Sequence, residues 1–434
     1  MKRKALLSAA LACTLTLTGC PAPDDEVQTV TCLAEEETSA WSETIDNTSD
    51  IVPSAETGVQ DMDTGIGEPS RTDTDSSEGN FEIAFLKYAA RNGESFVISP
   101  ASAKFAMSMA AMGAGEGSST EKELLGLFGY SSKAEMIEVG KKLMEELNRE
   151  DGSLSAKNSV WVSDAAGELN SDFRSSLTDI FRAESFTSDL TSQGFVDELN
   201  GWVEKNTNGL IKDMLSEPLS DDAWLALVNT LYFKNEWVNH FDDRYPRGFY
   251  GVNGYNENAP AMSMTEDMYY SDGETFKSVR LMYTDGSSMK IFLPTDENKL
   301  VTDIIAEMSE EELSAAIDAD YITACVDLTI PPFECDYKDS LVEAFKSLGV
   351  NDCFTDGTAD FSGMTNGELL VISDVIQAAK IICHEDGTEA AAATVVVFIE
   401  ALAPIVLTVD RPFLYTIESP SGETLFMGVI TDIN

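Results

Sequence analysis

The chain has 434 residues, with 76 acidic against 28 basic side chains and a formal net charge of −48. A field of that sign repels nucleic acid and anionic membrane surfaces, so neither is expected as a charge-driven partner. Seven cysteines without close pairs and two histidines match neither a zinc site nor a disulfide scaffold, and no metal or other cofactor is expected.

The N-terminus reads Lys2-Arg3-Lys4, an apolar run from Ala5 to Leu17, and then Thr18-Gly19-Cys20. A basic start, a short apolar core and a small-residue site predict an export signal over 1–19, too short for a spanning helix. Gly19-Cys20 resembles a bacterial lipobox, which implies cleavage before Cys20, a lipid on that cysteine, and a mature chain that is membrane-anchored outside the cytoplasm, or else extracellular. From residue 20 to residue 80, sixteen acidic residues stand against Arg71 alone. This stretch cannot bury enough apolar surface to offset its ordering entropy, so a disordered acidic linker is expected. Asp61-x-Asp63 and Asp73-x-Asp75 lack the spacing and closing glutamate of a calcium loop. Residues 81–434 form one domain with no second linker and no internal repeat.

Phe81, Ala84, Phe85, Tyr88 and Ala89 fall at helical spacing. A strand Phe96-Val97-Ile98 runs into Ser99-Pro100, and the apolar run Ala103 to Met112 predicts a helix buried on most sides. Gly113-x-Gly115-x-Gly117 ends that helix and, because no strand precedes it, is not a dinucleotide fingerprint. Ser132 to Asn148 mixes lysines with glutamates as a solvated helix face. Leu154 to Val162 alternates as a strand, and Phe195-x3-Leu199-x2-Trp202-Val203 marks an amphipathic helix within Asn200-x-Trp202-Val203-x3-Thr207-x-Gly209-x-Ile211. Ala223 to Phe233 reads as a strand buried on both faces, followed by Asn229-x3-Phe233-Lys234-x2-Trp237-x3-Phe241. Met262 to Pro294 carries the alternating strands of a second sheet. Val326 to Phe333, the helix Leu341 to Leu348 with Gly349, and Leu369 to Ile382 follow. Cys325, Cys335, Cys353 and Cys383 are expected as buried free thiols, although an exterior location leaves one bridge open.

The stretch from Glu385 to Pro412 changes chemistry abruptly. Gly387 is followed by Thr388, Glu389 and four alanines, Ala390, Ala391, Ala392 and Ala393, and then by the β-branched block Thr394 to Val397. Alanines favour helix and the block favours strand, so the segment is either a helix end before a buried strand or a piece of chain with two conformations. Gly387 to Thr394, with Asp410-Arg411-Pro412-Phe413 about twenty residues later, closely resembles the hinge and reactive-centre loop of the serpins, and the motifs above occur in the serpin order over 81–434. The resemblance implies an α+β serpin fold, about nine helices around three β-sheets, with an exposed reactive-centre loop. It also implies a hinge at Glu385, Gly387, Thr388, Glu389 and Ala390 to Ala393, with Ser99, Ser102, Asn229, Trp237 and Gln377 at the shutter and breach of the central sheet. Two departures stand out. Ser95 replaces the family's usual asparagine, and Gln377 stands where many members have histidine, so no pH-sensitive gate is expected there.

Catalysis is not expected. Only His240 and His384 could serve as bases near neutrality, neither lies in a nucleophile or metal motif, and His384 reads as a surface residue. There is no G-x-S-x-G, H-E-x-x-H or P-loop pattern. The resemblance implies instead a suicide substrate for serine endopeptidases. A loop of the same spacing as in inhibitory serpins implies a reactive bond at Ala401-Leu402, to within about one residue, which suits the shallow pocket of an elastase-like or subtilisin-like protease. The alternatives are a non-inhibitory serpin acting as a binding or chaperone-like protein, and an inhibitor of papain-like cysteine proteases. No heparin site is evident, and a monomer is expected.

Overall fold

Alternation along three strands decides which side of the central sheet meets the main core. Leu154, Ala156, Val160 and Val162 on the first, Leu225, Leu227, Leu231 and Phe233 on the second, and Val375, Ala379, Ile381 and Cys383 on the third all pack into the large apolar cluster. Their neighbours Trp161, Ala226, Val228, Ile376 and Ala378 face the other way, where Phe195, Leu199, Trp202 and Val203 of the helix Gln193–Asn206 cover them. A strand apolar on both faces must be buried on both, and this helix supplies the second cover.

The computed structural model describes residues 81–149, 153–242, 244–365, 370–388 and 403–433. The expected signal segment, linker and Cys20 lie outside them, as do Glu389, Ala390 to Ala393, and the bond Ala401-Leu402. Among the described residues there are nine α-helices and two large sheets. The central sheet has the strand order Phe333–Ser340, Ile372–Cys383, Leu225–Phe233, Leu154–Ser163, Glu184–Ser188. The second sheet has nine strands, because the 13-residue strand Pro260–Asp272 pairs with Phe276–Met282 near one end and with Ile322–Ile330 along most of its length. That one long strand therefore lies within a single continuous sheet.

Between the two sheets runs the helix Pro100–Gly113, which touches both Leu225–Phe233 and Thr424–Ile430. Ser99 caps it through a bond from the Ser102 amide, and Pro100 starts its first turn, where a missing N–H costs nothing. Phe105, Met107 and Met109 are essentially inaccessible, and burial of such side chains contributes roughly 1.5–3 kcal/mol each. The helices over 81–90, 100–113, 133–146, 193–206 and 342–347 fall where the periodicity puts them. Ser119–Gly126, Val301–Glu307 and Glu310–Ile317, of eight residues or fewer, were not expected, and neither was Ser171–Phe181, although Phe173, Leu177, Ile180 and Phe181 form an apolar stripe along it.

Candidate functional site

The strands Ile372–Cys383 and Leu225–Phe233 run parallel and pair only from Ile372 opposite Leu225 to Ala378 opposite Thr230. Beyond that seam both continue. Ala379 to Cys383 stays paired on its outer side with Phe333 to Tyr337, and Leu231 to Phe233 stays paired with Leu154 to Ala156. The two inner edges therefore diverge into a wedge, and backbone groups along a wedge can accept a new strand.

At the wide end of the wedge the chain turns back through His384, Glu385, Asp386 and Gly387. His384 and Gly387 exchange backbone bonds of 3.0 and 3.2 Å, and Gly387 and Thr388 then pair antiparallel with Glu236 and Asn235. Gly387 has φ +145°, and a Cβ there would stand 2.2 Å from the Asn235 carbonyl oxygen. Only glycine fits, for conformation and for space together. The first hinge residues thus already lie antiparallel to the strand beside the wedge, the direction an inserted strand must take.

Thr388 is 2% exposed, and its hydroxyl lies 2.9 Å from the Tyr283 hydroxyl. Tyr283 stacks on Trp237 at 4.2 Å and 15°, and burial holds its phenol far above the usual pKa, so it stays a neutral hydrogen-bonding partner. The Trp237 indole N–H donates to the His384 carbonyl at 3.0 Å, and its backbone N–H donates to Asp386 at 3.0 Å. Trp237 therefore holds the turn from which the expected hinge starts. Tyr283 is the functional residue the sequence analysis passes over, having read it only as part of a strand. His384 is half-buried rather than a surface residue, because its ring accepts the Asp386 amide at 3.3 Å.

Glu385 is clasped by Arg244 in two bonds, one of them 3.1 Å from Nη2. Burial alone would raise the Glu385 pKa, but the hydrogen bond and charge of Arg244 outweigh it and hold the carboxyl below its ordinary value. A depressed folded-state pKa contributes stability that is present above the unfolded pKa and is lost as pH falls through the folded one. At neutral pH the clasp is intact. In Arg244→Ala, amide hydrogen exchange at Phe241 and Gly387 should quicken several-fold at pH 7, and at matched pH the two proteins should converge only as pH falls below the ordinary glutamate range. Equal protection of the two proteins at pH 7 would show that the clasp does not hold the turn.

Below the wedge, three amide side chains stand side by side across the strands. Gln377 is opposite Asn229, which is opposite Asn158, and all three occupy the register of the main-core face. Gln377 binds the Ser99 backbone both ways, accepting from its N–H at 3.0 Å and donating to its carbonyl at 2.8 Å. The Ser102 hydroxyl donates to Asn229, Asn229 donates to Asn158, and Asn158 donates to the Phe181 carbonyl at 2.8 Å. The five side chains are at most 2% exposed. Ser99, Ser102, Asn229 and Gln377 thus form one network. Asn158 completes it and was missed, although an asparagine at the third inward position of Leu154-x-Ala156-x-Asn158-x-Val160 is a polar residue where an apolar one is due. Ser95 binds Thr431 at 2.9 Å through its hydroxyl, filling the asparagine position with a shorter side chain.

The thiols are unpaired among the described residues, with Cys335, Cys353 and Cys383 buried and Cys325 half-buried. Burial pushes Cys335 up to about 12, and Cys353 and Cys383 higher still, so they pack as small apolar groups.

The profile of the family described as Serpin (serine protease inhibitor) matches residues 77–433. Serpin-Z10 of Arabidopsis thaliana is 31% identical over 361 residues, covering 79% of this chain and 92% of its own. Glia-derived nexin of Homo sapiens is 29% identical over 360 residues, covering 78% and 88%. The crystal structure of the thermophilic serpin tengpin in its native state superposes with a TM-score of 0.74 at 25% identity, covering 84% of this chain and 96% of tengpin.

Proposed function

Because this chain belongs to the serpin family, we propose that it inhibits serine endopeptidases by being cut in the loop after the hinge, forming an acyl-enzyme, and inserting the freed loop into the central sheet. The observation that carries this reading is the seating of Gly387 and Thr388 beside an open wedge, in the direction insertion requires. Thr388 is buried there, and with the side-chain alternation of a strand Ala390, Ala392, Thr394, Val396 and Phe398 would follow it to the core face while Glu389 points away. About fourteen inserted residues at roughly 3.3 Å each span ~45 Å, close to the ~50 Å diameter of a body this size. The protease would be carried across the molecule. Each new ladder bond contributes ~0.5–1.5 kcal/mol net, so insertion would release on the order of 10 kcal/mol before apolar burial is counted. A displacement of about 1 Å in the protease's catalytic groups costs roughly a hundredfold in rate, which is enough to stall deacylation.

The reactive bond in this reading is Ala401-Leu402. A one-carbon side chain suits a shallow specificity pocket, and no Lys or Arg occurs between Thr388 and Asp410 to engage an anionic one, so elastase-like or subtilisin-like enzymes fit best. Incubation with pancreatic elastase should give an adduct that survives a denaturing gel, with release of a C-terminal fragment starting at Leu402 by mass spectrometry. A fragment starting near Val396 without an adduct would mark the loop as a plain substrate and would favour the binding-protein alternative.

The N-terminal reading supplies the location. Cys20 as the first mature residue, carrying several acyl chains, would hold the protein firmly to a membrane outside the cytoplasm, whereas one chain would hold it marginally. Cys20→Ala should move the protein from the membrane fraction to the soluble one or leave its signal uncut. A wild-type protein that is soluble and starts elsewhere would refute the anchor.

A further inference from the structure

The chain's two histidines, His240 and His384, are far apart in sequence, and the fold brings both against Asp386 in the hinge turn. His240 Nδ1 stands 3.5 Å from the Asp386 carboxylate, beyond ordinary hydrogen-bond length, and it is buried with no hydrogen-bond partner among the described residues. On the other side of the turn, His384 Nδ1 accepts the Asp386 N–H at 3.3 Å. A buried nitrogen left unbonded costs the resting fold free energy, and a proton on that nitrogen would turn the near approach into a charge-assisted bond.

His240 lies within the segment that brackets this turn. The Trp237 N–H donates to the Asp386 carbonyl and the Phe241 N–H to the Glu385 carbonyl, each at 3.0 Å, so the backbone is bonded to the turn on both sides of His240. Of the charged groups nearby, Asp386 faces the Nδ1 atom, Glu385 is engaged by Arg244, and the exposed Asp242 follows two residues on. The Tyr283 phenol and the Cys383 thiol, packed beneath the turn, stay neutral because burial pushes both pKa values well up.

Histidine is the side chain whose charge ordinarily changes within the physiological pH range. We propose that His240 is a positioning residue for the hinge: with a proton on its ring it pairs with Asp386 and holds the turn that seats Gly387 and Thr388, so that loop insertion competes better with deacylation in mild acid than in mild alkali. The pair needs the proton, so its contribution is present at acid pH and fades as pH rises through the histidine range. Arg244 holds the Glu385 carboxyl below its ordinary pKa, so that clasp persists in mild acid and the two attachments act together. His384 acts in the opposite sense, because a proton on its Nδ1 removes the acceptor of the Asp386 amide. Seating matters because loop closure costs entropy before any ladder bond offsets it, and Gly387 with Thr388 is the pair from which an inserted strand would grow. The effect on insertion rests on the inhibitory reading, whereas the holding of the turn stands apart from it.

Wild type, His240→Gln and Asp386→Asn, each shown to be folded by a thermal melt, are compared at about pH 6 and about pH 8, within the range where histidine changes charge. All keep His384, so its own titration is common to them. One measurement is amide hydrogen exchange at Phe241 and Gly387, corrected for the intrinsic effect of pH. The other is the ratio of adduct to cleaved chain with pancreatic elastase, whose own pH dependence is shared by every sample. From the higher pH to the lower, wild-type protection and the wild-type ratio should each rise about threefold relative to either variant, the scale of a partly exposed charge pair. Protection that changes by the same factor in all the proteins overturns the proposal. Protection that rises as expected without a gain in adduct supports the hold on the turn and overturns its part in insertion. Wild type that yields only cleaved chain overturns the inhibitory reading instead, and the exchange rates then decide the role of His240.

Discussion

Thr388→Arg should turn an inhibitor into a substrate. In the resting protein this side chain is 2% exposed, opposite Asn235, with its hydroxyl on Tyr283 and the Trp237 ring behind that. A guanidinium placed there must either leave its solvation or pull the hinge out of the wedge. Burial of an unpaired polar or charged group costs several kcal/mol, and each 1.4 kcal/mol added to the insertion barrier shifts the competition with deacylation tenfold. A cost of about 3–4 kcal/mol therefore means a several-hundred-fold change in partition. On a denaturing gel with elastase the covalent band should vanish, while cleaved chain accumulates at the wild-type rate of attack. Thr388→Val, which keeps the shape and loses only the bond to Tyr283, should still inhibit within a few-fold of wild type. Undiminished one-to-one inhibition by Thr388→Arg would mean that loop insertion is not how this protein works.

Much of this site can be read in the sequence, for identifiable reasons. Gly387 announces itself because a turn this tight against the Asn235 carbonyl admits no Cβ, and small residues after it are what a strand entering a packed sheet needs. The apolar run over 225–233 shows burial on both faces because both faces are indeed covered, one by the main core and one by the helix Gln193–Asn206. Ser99, Ser102, Asn229 and Gln377 were legible only through resemblance, since a single polar residue in a strand carries no mark of its partners. Their meeting depends on register across three strands, and no local pattern encodes register between segments some 70 and 150 residues apart. Asn158 could have been found by asking which inward position is polar. Tyr283 could not, because its partner Thr388 reaches it only when the hinge is seated, and that is a property of the folded sheet.

The same network makes the second large effect specific to Asn229. Asn229→Ala leaves the Ser102 hydroxyl and the Asn158 carbonyl oxygen buried without their partner, and it takes an amide out of the position facing Gln377 across the seam. Orphaned buried groups cost about 1–3 kcal/mol each, so the native state should lose ~3–5 kcal/mol, and the unfolding midpoint should fall by about 4–7 °C. The loss is not shared by a loop-inserted sheet. There a new strand separates Gln377 from Asn229, the pairing of Ile372 to Ala378 with Leu225 to Thr230 is broken in any case, and the new ladder bonds dominate. Weakening the seam in the resting state alone lowers the barrier to insertion without cleavage. The variant should therefore lose inhibitory activity on standing at 37 °C severalfold faster than wild type, while the inactive fraction becomes more resistant to heat, not less. Differential scanning of aged samples reads both quantities. A uniformly destabilised protein whose inactive fraction melts low would instead identify the network as ordinary core bonding, and a variant as stable and long-lived as wild type would show that the seam is held by its apolar contacts alone.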